Sequence, residues 1–280
     1  MAKIVWLASY PKSGNTWMRA LLTNYRRNGD EPVDINKLDG FAAAARVWFD
    51  EWVGVKASEL RPDVVERLRP EVYRRLARNA DDTLVLKVHD AWRLTPAGDP
   101  LFPSDVTSRV IYMVRDPRAV AVSYASHEGT ALATAVEDLC DRAHTMATST
   151  RGIWEQFAQP TRDWSGHVAS WLDESGLNPY VVRFEELCAD PFGVFAEVVR
   201  FIGLPLEAGR LAKAVRHSEF VEMQRQEQGR GFHERPASAT YAFFRRGAPC
   251  AWRDELGCDL KARVVNAHGP MMRRLGYDEL

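Results

Sequence analysis

The chain has 280 residues, 46% of them hydrophobic, with 37 lysines and arginines against 38 aspartates and glutamates, a formal charge of -1. That is enough apolar material for a sizeable core, and 1–280 reads as one domain. Near-neutral charge excludes a protein that holds nucleic acid by bulk electrostatics, although local anion sites stay open. Cys140, Cys188, Cys250 and Cys258 are too few for a disulfide framework and lack zinc-knuckle spacing, so they read as reduced thiols. The first apolar stretch, Ile4 to Ala8, is far shorter than the ~20 residues that span a bilayer. Arginine supplies 30 of the 37 basic residues, as a GC-rich bacterial genome would. The expectation is a cytoplasmic bacterial protein with no membrane segment and no nucleic-acid partner. Oligomeric state is not legible.

In chain order, Lys3 to Ser9 is a short buried strand and Thr16 to Arg27 an amphipathic helix stopped by Gly29. Further strands fall at Thr83 to Val88, Arg109 to Val114 and Tyr180 to Phe184, each a compact apolar run with β-branched members. Helical periodicity marks Asp63 to Arg78, Pro117 to Ser126, Ala131 to Thr148 and Trp164 to Ser175, then Pro191 to Ile202, Leu206 to Arg216 and Leu260 to Leu275. Alternation of this kind predicts an α/β fold with a mostly parallel central sheet flanked by helices. Gln224 to Thr240 is polar, carries Gly229, Gly231 and Pro236, and reads as a mobile loop.

Between the first strand and the first helix lies "YPKSGNTW", residues 10 to 17. Ligands of an open parallel sheet sit beyond the carboxyl ends of its strands, where this loop falls. Gly14 permits close backbone approach, the following helix start presents N–H groups, and Lys12, Ser13 and Thr16 add a charge and two hydroxyls. That set makes a phosphate cradle. The alternative is that Ser13 or Asn15 merely caps the helix while Lys12 is solvated. Lysine precedes the glycine, so the loop is not a Walker motif.

The order Tyr-Pro-Lys-Ser-Gly-x-Thr-Trp resembles the 5′-phosphosulfate loop of sulfotransferases that use 3′-phosphoadenosine 5′-phosphosulfate (PAPS). A PAPS enzyme needs a second anion site for the 3′-phosphate. "MVRDPRAVAVSY", residues 113 to 124, resembles that segment of the family, which implies Arg115 and Ser123 as its ligands. "RRGAPCAW", residues 245 to 252, resembles the family's C-terminal Arg-Lys-Gly-x-x-Gly-Asp-Trp and implies Arg245, Arg246 and the Gly247 amide around the same phosphate, with Cys250 and Ala251 departing from the pattern. "HSEFVEM", residues 217 to 223, resembles the adenine-holding segment, with Ser218, Phe220 and Trp17 in the matching places; taken alone, Phe220 is as well explained by core packing.

"LVLKVHD", residues 84 to 90, resembles the family's Lys-x-His segment and implies His89 as general base. Strand alternation puts Lys87 and His89 on one face. With Lys12 on the leaving oxygen, Lys12, Lys87 and His89 form the implied catalytic set, with Lys12, Ser13, Gly14, Asn15, Thr16 and Trp17 holding the 5′ end. The other six histidines read as surface or packing residues. The resemblance implies the P-loop-kinase-like sulfotransferase fold, PAPS as donor, the bisphosphate PAP as product, and no metal. Its one departure near the cofactor is Phe184, where many relatives carry a tyrosine whose hydroxyl helps hold the 5′-phosphate.

The acceptor hydroxyl belongs to a phenol, another small molecule or natural product, or a modified peptide. Phe41, Trp48, Phe49 and Trp52, with Trp154, Phe157 and Trp164, are either an apolar acceptor pocket or core. Two other readings stay open: a magnesium-dependent kinase-like phosphoryl transferase using Asp90 or Asp116, and a nucleotide-binding protein without catalysis.

Overall fold

A computed structural model describes residues 3–148 and 155–277. Its principal sheet has four strands, β1 (Ile4–Ser9), β2 (Leu84–Val88), β3 (Thr107–Val114) and, after two short strands β4 (Thr145–Met146) and β5 (Gln159–Pro160), β6 (Tyr180–Arg183). The order is β2-β1-β3-β6 and every pairing is parallel. The α/β class and all four strands foreseen from periodicity are therefore present.

Period-two alternation divides the core. Ile4, Trp6 and Ala8 of β1 join Leu86, Val88, Val110, Tyr112 and Val114 on one side of the sheet. Val5 and Leu7 join Val85, Ile111, Met113 and Val182 on the other. Both faces are buried, as right-handed crossover helices require of a parallel sheet. Helix α1 (Asn15–Arg27) packs Met18, Leu21 and Leu22 on the second side, and its end is capped by Asn28 in the left-handed region, one residue before the predicted stop. The other helices are α2 (Arg46–Val53), α3 (Pro62–Asn79), α4 (Pro117–Glu128), α5 (Leu132–Cys140), α6 (Trp164–Ala169), α7 (Phe184–Ala189), α8 (Pro191–Phe201), α9 (Ala208–His217), α10 (Phe220–Arg230) and α11 (Cys258–Arg274).

Several boundaries differ from the sequence reading: α2 and α7 were not foreseen, Phe184 starts α7 instead of ending β6, and three further differences have a clear cause. Helix α5 stops at Cys140, because the chain turns there to place Thr145–Met146 against Gln159–Pro160. The helix begun at Trp164 widens to a π turn over Ser170–Glu174. Most of all, Gln224 to Arg230 is helix rather than loop: it extends α10, whose Met223 is buried against Ala20, Ile35, Phe232 and Phe244. Only the remainder, from Gly231, is a strap. Tertiary packing of one apolar side chain outweighs the polar composition of that stretch.

The open edge of β2 is covered by residues 41–43: the Lys87 amide donates to the Phe41 carbonyl at 3.0 Å and the Ala43 amide to the Lys87 carbonyl at 2.8 Å. This tie brings Phe41 beside the carboxyl end of the sheet.

Candidate active site

All strands of the parallel sheet end toward one cleft, which holds about 1900 Å³. The cradle is its inner wall. Helix α1 starts without a side-chain cap; its N-cap is Gly14 at φ 99°, and Lys12 adopts φ 65° two residues earlier. The alternative in which Ser13 or Asn15 caps the helix does not hold, so the first amides of α1 are left for an anion. Gly14 is needed twice over. Its φ is left-handed, and a Cβ there would lie 2.7 Å from Cδ2 of Phe184. Phe184, the first residue of α7, packs on the loop, meets Trp17 edge-on at 5.9 Å, and carries the Arg115 guanidinium 4.4 Å above its ring. It thus supports the cradle by packing where a tyrosine would add a hydroxyl.

Two donor atoms of the cradle are buried without protein partners, Ser13 Oγ and Arg115 Nε. Each such atom carries a desolvation cost unless something polar meets it, and both suit a group rich in acceptor oxygens. Asn15 is held in place through its amide, which donates to the Leu7 carbonyl at 2.9 Å. Arg115 Nη1 donates to the Lys12 carbonyl at 3.2 Å, so the two anion-binding segments touch.

Lys12, Gly14, Asn15, Thr16, Trp17, Lys87, His89, Arg115, Ser123, Phe220, Arg245, Arg246 and Gly247 all line the one cleft. Ser13, in the same loop, is fully buried. Ser218 is also fully buried: its Oγ accepts from Asn24 Nδ2 at 3.0 Å and its carbonyl from Trp17 Nε1 at 2.9 Å, so it orients the Trp17 ring. Gly247, at φ 64°, lets Phe220 approach closely enough that a Cβ would sit 2.7 Å from that ring. Arg245 forms a two-bond fork on Glu255 at 2.7 and 2.7 Å, and Arg246 reaches the same carboxylate at 3.2 Å. One acidic residue therefore holds both cations of the departing "RRGAPCAW" segment in register.

His89 follows β2, and its Nδ1–H donates to the Ser9 carbonyl at 2.9 Å. Nε2 is then the unprotonated nitrogen. Burial first, and then the nearby Lys87 charge, push the imidazole down to about 3, so it is neutral at pH 7. Lys12 is pushed down to about 7 by burial and then by Arg115 and Lys87. Its ammonium lies 3.6 Å from the Phe243 ring centre and 3.3 Å from Nδ1 of His127.

His127 corrects the reading of the remaining histidines. It lines the cleft, as does His233, and contacts the key lysine. Its place in the last turn of α4, four residues after Ser123, was the available signal: i and i+4 share a helix face. Glu234 was also missed. It accepts from Lys87 Nζ at 2.8 Å and pairs with Arg19. No local pattern announces it, because 147 residues separate it from Lys87.

Among the described residues of the two aromatic groups, only Phe41 lines the cleft. Phe49, Phe157 and Trp164 are buried core, and Trp48 and Trp52 pack against that core. Trp154 lies outside the described residues. The outer cleft is lined instead by Leu38 and Phe41 beside Arg46, Asp50, Glu51 and Gln156.

The two carboxylates of the kinase-like reading are committed to arginines. Asp90 is fully buried and forked by Arg69 at 2.9 and 3.2 Å. Asp116 caps α4 through the Arg118 amide at 2.9 Å and pairs with the Arg118 guanidinium at 2.8 Å. Among the described residues no group of three or more His, Cys, Asp and Glu is placed to hold a metal ion, and no helix is long and apolar enough to cross a membrane.

A parallel sheet with an uncapped helix start at one strand end and an arginine at the next leaves one cleft lined by several cations. The chain matches the sulfotransferase domain over residues 3–276 and belongs to that family. It is a sulfotransferase, an enzyme that transfers sulfuryl groups.

Sulfotransferase 1B1 of the dog is 24% identical over 260 residues, covering 89% of this chain and 76% of that protein. Sulfotransferase 1C2 of the rabbit is 24% identical over 226 residues, 78% of this chain and 64% of that one. The chain thus spans about two thirds to three quarters of these relatives. In fold it is similar to mouse sulfotransferase SULT7A1 complexed with PAP, with a TM-score of 0.60 at 18% identity over 97% of this chain and 85% of that one. It is similar also to retinol dehydratase in complex with androsterone and inactive cofactor PAP, with a TM-score of 0.61 at 18% identity, covering 98% and 81%.

Proposed function

We propose that this chain moves the sulfuryl group of PAPS to an acceptor hydroxyl by in-line displacement, with His89 as general base. The observation that carries the reading is the convergence of Lys12, Arg115, Arg245, Arg246 and His89 on one cleft, with buried polar atoms of the cradle left without protein partners. When bound, PAPS supplies an activated sulfuryl group on a good leaving group. The amides of α1, Ser13 and Thr16 hold its 5′ end; Arg115, Ser123, Arg245, Arg246 and the Gly247 amide hold the 3′-phosphate; Trp17 and Phe220 flank the adenine.

The residues then have separable tasks. His89 Nε2 takes the proton of the acceptor hydroxyl, since Nδ1 is tied to Ser9. Lys12 offsets negative charge on the leaving oxygen, and Lys87 steadies the sulfo group. Phe243, lying on Lys12, keeps water from that ammonium. No metal has a part. The acceptor is a small molecule or a modified peptide whose hydroxyl reaches His89. The mixed lining, with Phe41 and Leu38 beside Arg46, Asp50 and Glu51, suits an acceptor that presents an apolar face together with polar groups. The protein is cytoplasmic in this reading and works as a single domain.

A thermal-shift comparison tests the donor: PAP raises the melting temperature in proportion to its occupancy, while ATP with magnesium does so far less. Stabilisation by ATP with magnesium and none by PAP would overturn the reading.

A further inference from the structure

Lys87 has an anionic partner of its own inside the cleft. Its Nζ donates to Glu234 Oε2 at 2.8 Å, and the other carboxylate oxygen, Oε1, pairs with Arg19 Nη1. The three residues come from separate elements: Lys87 from β2, Arg19 from α1, and Glu234 from the strap that follows α10. Both ends of that strap are anchored. The His233 amide donates to Asn36 Oδ1 at 2.8 Å, and the Phe243 and Phe244 amides donate to the carboxylate of Glu227 at 2.6 and 2.9 Å. Glu234 is thus held in place by the backbone around it as well as by its cations. Burial opposes its ionisation, yet Lys87 and Arg19 together keep its carboxyl well below the usual range.

The pairing is unequal. Arg19 is 6% exposed and its Nε is tied to the Asp39 carbonyl at 3.0 Å, so it cannot follow a ligand. Lys87 hangs on a flexible four-carbon stem and lines the cleft. If Lys87 turns to another anion, Glu234 keeps Arg19 and is not left as an unpaired buried charge. A single ammonium between a carboxylate and a sulfonate must divide its hydrogen bonds and its attraction between them.

We propose that Glu234 is a specificity-determining residue for the donor: it competes with the sulfo group of PAPS for Lys87, and so selectively weakens the grip on PAPS relative to PAP, which lacks that group. This rests on the donor reading above. It also gives the strap a task after transfer, when Glu234 takes Lys87 back.

Equilibrium binding of PAPS and of PAP, without acceptor, to the wild-type protein, Glu234→Gln, Lys87→Met and the double variant tests the competition. Glu234→Gln binds PAPS about tenfold more tightly and PAP within about twofold of wild type. In the Lys87→Met background the same change has no selective effect on PAPS. Glu234→Asp, which keeps the charge but draws it back by one methylene, shifts PAPS in the same direction by less, and serves if the glutamine variant unfolds. Equal changes for both nucleotides, weaker PAPS binding in Glu234→Gln, or a selective effect that survives in Lys87→Met would each overturn the proposal. A wild-type protein that binds neither PAPS nor PAP would instead bring down the donor reading on which it stands.

Discussion

The Nδ1–H of His89 donates to the Ser9 carbonyl across 2.9 Å, so the histidine beyond β2 is oriented by the last residue of β1. The acceptor is a backbone atom of a central strand, which makes the tautomer a property of the sheet itself. The Ser9 hydroxyl lies 3.2 Å from the same nitrogen.

His89→Ala should lower kcat by about 10²–10⁴ while leaving the affinity for PAP within about twofold, because a base acts on the acceptor proton and not on the nucleotide. Turnover with radiolabelled PAPS and a competent acceptor is the measurement. Intact turnover would show that another group takes the proton.

Arg115→Ala should weaken adenosine 3′,5′-bisphosphate by ~1.5–3 kcal/mol, the worth of a charged hydrogen bond, with little change for adenosine 5′-phosphate. Calorimetric titration of both ligands checks this. Equal losses would mean that Arg115 works only through its bond to the Lys12 carbonyl, as a support of the cradle.

Gly14→Ala should destabilise the fold by about 1–3 kcal/mol and abolish PAP binding, since the new Cβ meets Phe184 in a left-handed backbone. Adding Phe184→Ala relieves the contact but not the φ of 99°, so denaturant melts of the double variant should recover only part of the loss.

Acid stability follows from the buried imidazoles. Burial pushes His89 and His167 down to about 3, against 6.5 for an exposed histidine. Between those values the unfolded chain takes up protons that the folded chain refuses. Stability is therefore full above pH 6.5 and is lost as pH falls toward 3, by about 1.4 kcal/mol per residue per pH unit. Urea melts at pH 6.5 and 5.5 should differ by about 2 kcal/mol from this pair, because the unfolded imidazoles are already half protonated at pH 6.5. A flat profile would show that these rings protonate in the folded protein.

Transfer should persist in excess EDTA, as Asp90 and Asp116 are both committed to arginines. Strict dependence on magnesium would favour phosphoryl transfer.

Local order in the chain encodes several parts of this protein. Apolar runs with β-branched members marked four strands; Lys12 before Gly14 separated the loop from a Walker motif; strand alternation set Lys87 and His89 on one face; and motif order pointed to a two-anion donor. Tertiary structure alone decided what those parts touch. The polar stretch from Gln224 became helix because Met223 found a buried site, and most of the aromatic residues read as pocket or core proved to be core. Phe184 proved a packing support for Gly14, while Glu234, Glu255 and His127 proved partners of Lys87, of the arginine pair and of Lys12. The physical reason is range. Periodicity and loop chemistry act over a few residues and survive in the linear text, whereas a buried charge takes its partner from whichever segment the fold carries to it.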